Sequence, residues 1–108
     1  MTESRDRRQG IRMNKKVAFL VGVVEPIGNS GAEWRARGRA YETVHVGDVV
    51  YFDEYMNEDD QGHLSFEVSK IITYGEEVSE LPGMMTGDLY LHGQRGDLIR
   101  ERAMLFVQ

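Results

Sequence analysis

The sequence predicts an all-β protein: a small closed six-stranded antiparallel β-barrel, preceded by an N-terminal tail and carrying one short helical turn near 96–102. Three observations carry that expectation. Apolar residues fall in short runs rich in Val, Phe and Leu, several of them alternating with polar residues at period 2. Turn residues separate the runs at close intervals. Third, 108 residues without cysteine fit one self-sufficient hydrophobic core of roughly two-thirds buried surface, with no disulfide framework. Six short strands in an open sheet would leave exposed edges, and closure into a ring removes them.

The elements follow in order. The first sixteen residues contain little apolar material beyond Ile11 and Met13, so 1–16 is expected to be a disordered basic tail and 17–108 the barrel domain. The run 17–24 is β-branched and aromatic with no polar helix face, which predicts a strand buried on both sides, and Gly22 inside it marks a bend or a close backbone approach. Pro26 ends it, and Gly28 to Gly31 is a loop. A second extended piece is expected over 34–44. The turn Val46-Gly47-Asp48 then feeds the strand 49–52, and 53–62 is an acidic hairpin loop. Leu64, Phe66 and Val68 alternate with Ser65, Glu67 and Ser69, the pattern of a half-buried strand. The alternation breaks at Lys70-Ile71-Ile72, which predicts a β-bulge or a change of facing. Leu89 and Leu91 share one face of a strand ending at His92, and Ala103, Leu105 and Val107 share one face of the last strand.

Composition excludes several classes of function. The longest apolar run is far short of the ~20 residues that span a bilayer, so no membrane segment is expected. The absence of cysteine removes thiolate zinc sites and cysteine nucleophiles, and a reducing cytoplasm is the expected compartment. The net charge of −5 conceals a division: 1–16 carry six basic and two acidic side chains, whereas 17–108 carry seven basic and sixteen acidic ones. Tail and body therefore have opposite signs, +4 and −9.

Three segments resemble domain 2 of the translation GTPases such as elongation factor Tu. Val21-Gly-Val-Val-Glu25 is similar to that family's first-strand pattern, Val44-His-Val-Gly-Asp-Val-Val50 to its Val-Gly-Asp/Glu turn, and Thr86 to Leu105, with Gly-Gln-Arg-Gly-Asp-Leu-Ile inside it, to its C-terminal part. They occur in the family's order. The resemblance implies a six-stranded barrel that docks to tRNA, ribosomal RNA or a protein partner. Two departures accompany it: Ala103 stands where the family has glycine, and 26–43 forms an insertion where the family has a tight hairpin. No Gly-x-x-x-x-Gly-Lys-Ser/Thr occurs, so neither nucleotide binding nor GTP hydrolysis is carried over.

The most distinctive constellation is Trp34, Arg35, Arg37 and Arg39. In a strand, residues two apart share a face, so the arginines would form a ridge ~13 Å long. One reading has the ridge gripping phosphates while the indole stacks on a base. The other has Trp34 packed over the barrel end, with the arginines paired to carboxylates such as Glu25, Glu33 and Glu42. Arg95, Arg100 and Arg102 add basic residues around the expected helical turn and carry the same two readings. Asn57, Asp59, Gln61 and Gly62 match the first half of an EF-hand loop, yet Val68 occupies the place of its final glutamate, so the segment reads as a hairpin tip. His45, His63 and His92 have no metal-ligand spacing, and the serines stand in no nucleophile elbow. Met84-Met85 reads either as an adaptable contact or as core filling. No catalytic set and no cofactor is expected. The chain reads as a non-enzymatic binding module whose partner is RNA or a ribonucleoprotein, or alternatively a protein met through its acidic face.

Overall fold

The computed structural model describes residues 16–52 and 64–107. Among the described residues nine strands occur in chain order: β1 (Lys16–Pro26), β2 (Glu33–Ala40), β3 (Val44–His45), β4 (Val49–Phe52), β5 (Leu64–Thr73), β6 (Glu76–Val78), β7 (Glu80–Leu81), β8 (Thr86–His92) and β9 (Met104–Val107). Six of them close a ring in the order β4-β9-β1-β2-β8-β5, with β5 returning to β4, and every pairing is antiparallel. This is the closed six-stranded barrel that the sequence predicts. β6 extends β5 as a hairpin, and β3 pairs with β7 in a two-stranded sheet that buries Val44 against the core beside Leu81. A 3-10 turn, Gly96–Leu98, falls in the predicted helical window.

Alternation places the core. Phe66 and Val68 of β5, Leu89 and Leu91 of β8, Val50 and Phe52 of β4 and Leu105 of β9 all point inward and are fully buried. The predicted bulge lies at Ser69: register runs from Val68↔Leu91 to Lys70↔Tyr90, skipping one residue. Beyond it the inward residues are Ile71 and Thr73, so the bulge moves inward facing from even to odd positions. Thr73, the buried polar residue in this row, donates its hydroxyl to the Thr86 carbonyl at 2.9 Å.

Two expectations are corrected. β1 is not buried on both sides along its length. Its register shifts between Val17 and Phe19 against β9 and between Val21 and Val23 against β2, so the adjacent pair Ala18 and Phe19 is buried because of a bulge, while Val23 is 53% exposed. Second, 34–44 is not one strand. β2 ends at Ala40, where the N–H groups of Tyr41 and Glu42 both turn onto the Ala18 carbonyl, before β3 resumes at Val44. The segment 26–43 supplies β2, a wall strand between β1 and β8. Lys16, assigned to the tail, opens β1 opposite Val107. The rest of the expected tail and the acidic loop 53–62 lie outside the described residues.

Candidate partner-binding face

β2 divides its side chains by parity. Trp34, Ala36 and Ala40 are buried, while Arg35, Arg37 and Arg39 stand on the outer face. Two alanines and Gly38 let β2 lie close to β1: a Cβ on Gly38 would collide with the Leu20 carbonyl oxygen and the Phe19 ring. At the barrel end Trp34 is 6% exposed and donates its indole N–H to the Gly93 carbonyl at 2.9 Å. Gly96 lies on the indole so closely that any Cβ there would enter the ring. Trp34 is therefore core, as the packing alternative has it, and its face is closed to a stacking base.

The register sets the neighbours of each arginine. Arg35 lies between Glu25 of β1 and Tyr90 of β8, Arg37 between Val23 and Asp88, and Arg39 between Leu20 and Thr86. Arg35 donates from Nη2 to the Glu25 carboxylate. Arg37 grips Asp88 with two bonds, Nε to Oδ1 at 2.8 Å and Nη2 to Oδ2 at 3.2 Å. Asp88 is only 8% exposed, so the guanidinium is its counter-charge and shields it from water. The hydrogen bond to Asp88 raises the Arg37 pKa further above its usual value, and Arg37 stays a cation throughout. Arg39 is exposed and pairs with no carboxylate among the described residues. One row further, Lys70 of β5 pairs with Tyr90, its Nζ 4.7 Å from the ring centroid.

The other basic residues lie elsewhere. Arg95 has a left-handed backbone and holds Asp97 through two 3.0 Å bonds, which keep that carboxyl below its usual pKa range. Arg100 and Arg102 line a groove of about 480 Å³ with Phe52, Met104 and Phe106. That groove adjoins β4 and β9, across the ring from β2 and β8. The seven residues singled out from the sequence thus separate into one buried tryptophan, a row of three arginines, and three arginines in the connection to β9.

His92 faces outward as its alternation implies and pairs through Nδ1 with Glu33 at 2.6 Å. His45 lies 3.2 Å from Glu80 and 3.6 Å from Asp48. Among the described residues, no group of three His, Asp or Glu side chains is placed to hold a metal ion, and no helix is long and apolar enough to cross a membrane. The methionine pair divides: Met84 is 61% exposed, and Met85 packs against the core.

The residue that sequence reasoning missed is Tyr74. It occupies the two-residue turn between β5 and β6, with φ of 52° at Tyr74 and 78° at Gly75, and its side chain is 86% exposed. A groove of about 320 Å³ runs from it along Ile72, Thr86, Asp88 and Arg37. The signal was available as a Tyr-Gly pair between Thr73 and Glu76, the spacing of a tight hairpin. No family model, curated protein or solved structure matches the chain.

Proposed function

We propose that this barrel is a non-enzymatic module that binds single-stranded RNA, alone or within a ribonucleoprotein, across the outer face of β2 and β8. The observation that carries the reading is the arginine row: three guanidinium groups at alternate positions of one regular wall strand, ending in Arg39, which holds no carboxylate among the described residues. Arg35 and Glu25 form an exposed pair, and such pairs contribute at most about 1 kcal/mol, so a phosphate can replace the glutamate at little cost. Arg37 works differently: its bond to a nearly buried Asp88 fixes the guanidinium, leaving its outer side to meet a partner. The likeness to domain 2 of the translation GTPases supports the same reading and makes the translation apparatus in the cytoplasm its setting.

RNA binding by such a row is ionic and falls with salt, by a slope of about 0.7 per phosphate contact. Binding of a labelled single-stranded RNA by the full chain, followed by fluorescence anisotropy across a salt series, is the test. Exchanging Arg35 and Arg39 together for alanine should weaken binding and flatten the salt slope by about 1.4. Arg37 is kept, because its removal would strand Asp88. A chain that ignores RNA at ~50 mM salt overturns the proposal.

A second reading, a protein partner, is favoured by one observation: carboxylates interleave with the cations on this face. Glu25 and Asp88 neutralise Arg35 and Arg37, and Glu33 pairs with His92, and a mosaic of both signs suits a protein surface. Co-purification from the native cell separates the two, since a defined protein partner without nucleic acid would favour the second.

A further inference from the structure

We infer that the turn between β5 and β6 is a base-stacking tip: Tyr74 takes one nucleobase of an RNA strand whose phosphates lie along the arginine row. The inference rests on the RNA reading above and adds the contact that reading lacks. With Trp34 buried, the arginine row alone would hold phosphates and no bases.

The turn itself is the first observation. A two-residue β-hairpin turn with φ positive at both positions matches the sequence preference Asn-Gly or Asp-Gly, because those residues enter the left-handed region readily. Gly75 obeys that preference, and Tyr74 at φ 52° does not. Packing offers no compensation, for the side chain is 86% exposed. A bulky aromatic kept in a backbone region it disfavours, with nothing inside the molecule to hold it, is accounted for by something outside the molecule.

The second observation is what lies beside the ring. The groove at its base has an aliphatic wall in Ile72 and polar walls in Thr86 and Asp88, and it ends at Arg37. Arg39 stands opposite Thr86 in the β2–β8 register, which brings a cation without a carboxylate partner to the same rim. A nucleotide needs these two things together, an open π-face for the base and a cation for the phosphate. Of the other aromatics nearby, Trp34 is enclosed, Lys70 lies over Tyr90, and Tyr41, just beyond the end of β2, is 43% exposed, half the exposure of Tyr74. Glu76 and Glu77, on the far side of the turn, repel phosphate and direct the strand toward β2.

The test pairs two measurements on the full chain and its Tyr74→Asn and Tyr74→Trp variants: thermal unfolding, and binding to a labelled oligouridylate across a salt series. Asparagine suits the turn, so Tyr74→Asn is expected to raise Tm by roughly 2–6 °C. The same change should weaken RNA binding roughly ten- to a hundredfold while leaving the salt slope unchanged, because stacking is not ionic. Tyr74→Trp should retain the affinity. If the unaltered chain binds and Tyr74→Asn binds equally well, the tip is overturned and the RNA reading stands. A Tyr74→Asn chain that melts earlier and binds less gives the ring a structural role and also overturns the tip. Failure of the unaltered chain to bind at ~50 mM salt overturns the RNA reading and the nucleobase ligand with it.

Discussion

The two hairpins that β2 and β6 complete treat the same backbone problem in opposite ways. In the β1–β2 hairpin the loop 27–32 puts Gly28 and Gly31 at its positive-φ positions, closes with a 2.9 Å bond from the Ile27 N–H to the Glu33 carbonyl, and lets the Ser30 hydroxyl accept from Ala32 N–H. The aromatic that follows, Trp34, turns inward and is enclosed. In the β5–β6 hairpin a tyrosine takes the left-handed position and its ring stays in water. One hairpin follows local preference and feeds the core. The other departs from local preference and offers a surface, which is where sequence rules are expected to yield to contact with a partner.

The largest effect that sharpens this contrast is Trp34→Ala, expected to lose about 3–5 kcal/mol in denaturant unfolding because it empties a closed site at the barrel end. Gly96→Ala pushes a methyl group into the same indole and should cost about 1–3 kcal/mol without removing a single core atom. Opposite substitutions in the two turns come next. Gly31→Ala, at φ 76° with open space around it, should destabilise by about 1 kcal/mol, whereas Tyr74→Gly should stabilise by a few tenths to about 1 kcal/mol. Equal signs for these two changes would break the comparison.

The smallest effect is on acid stability. The hydrogen bond from Arg95 holds Asp97 below its ordinary 3.8 in the folded chain. Its contribution is therefore full above that ordinary value and is lost as pH falls through the lower folded pKa. Asp97→Asn should lower Tm slightly at neutral pH, and a pH series of melts should show the difference closing below about pH 4.

Much of the fold was legible because it follows parity. Leu89 and Leu91, Phe66 and Val68, and Leu105 announce their buried faces by alternation alone, and the break at Lys70 announced the bulge that the structure puts at Ser69. What escaped was set by contacts distant in sequence. The end of β2 at Ala40 depends on carbonyls and amides of β1 and of the turn before β8, and the bulge that buries both Ala18 and Phe19 depends on its pairing with β9. The candidate site was legible in the same proportion. Alternation put Arg35, Arg37 and Arg39 on one face, yet which of them meets a carboxylate is a matter of register with β1 and β8. Arg100 and Arg102 share only composition with that row, since ring order sends them across the barrel.

The ring is sealed by β9, which joins β1 on one side and β4 on the other. Its partner Lys16 stands at the opposite end of the described chain from Val107. The last seam of the wall therefore joins residues of the greatest sequence separation, and loop closure on that scale slows assembly. On a ribosome, the wall stays open, with β1 and β4 edges unpaired, until Met104–Val107 has emerged. Refolding of the intact chain is thus expected to be slow for its size.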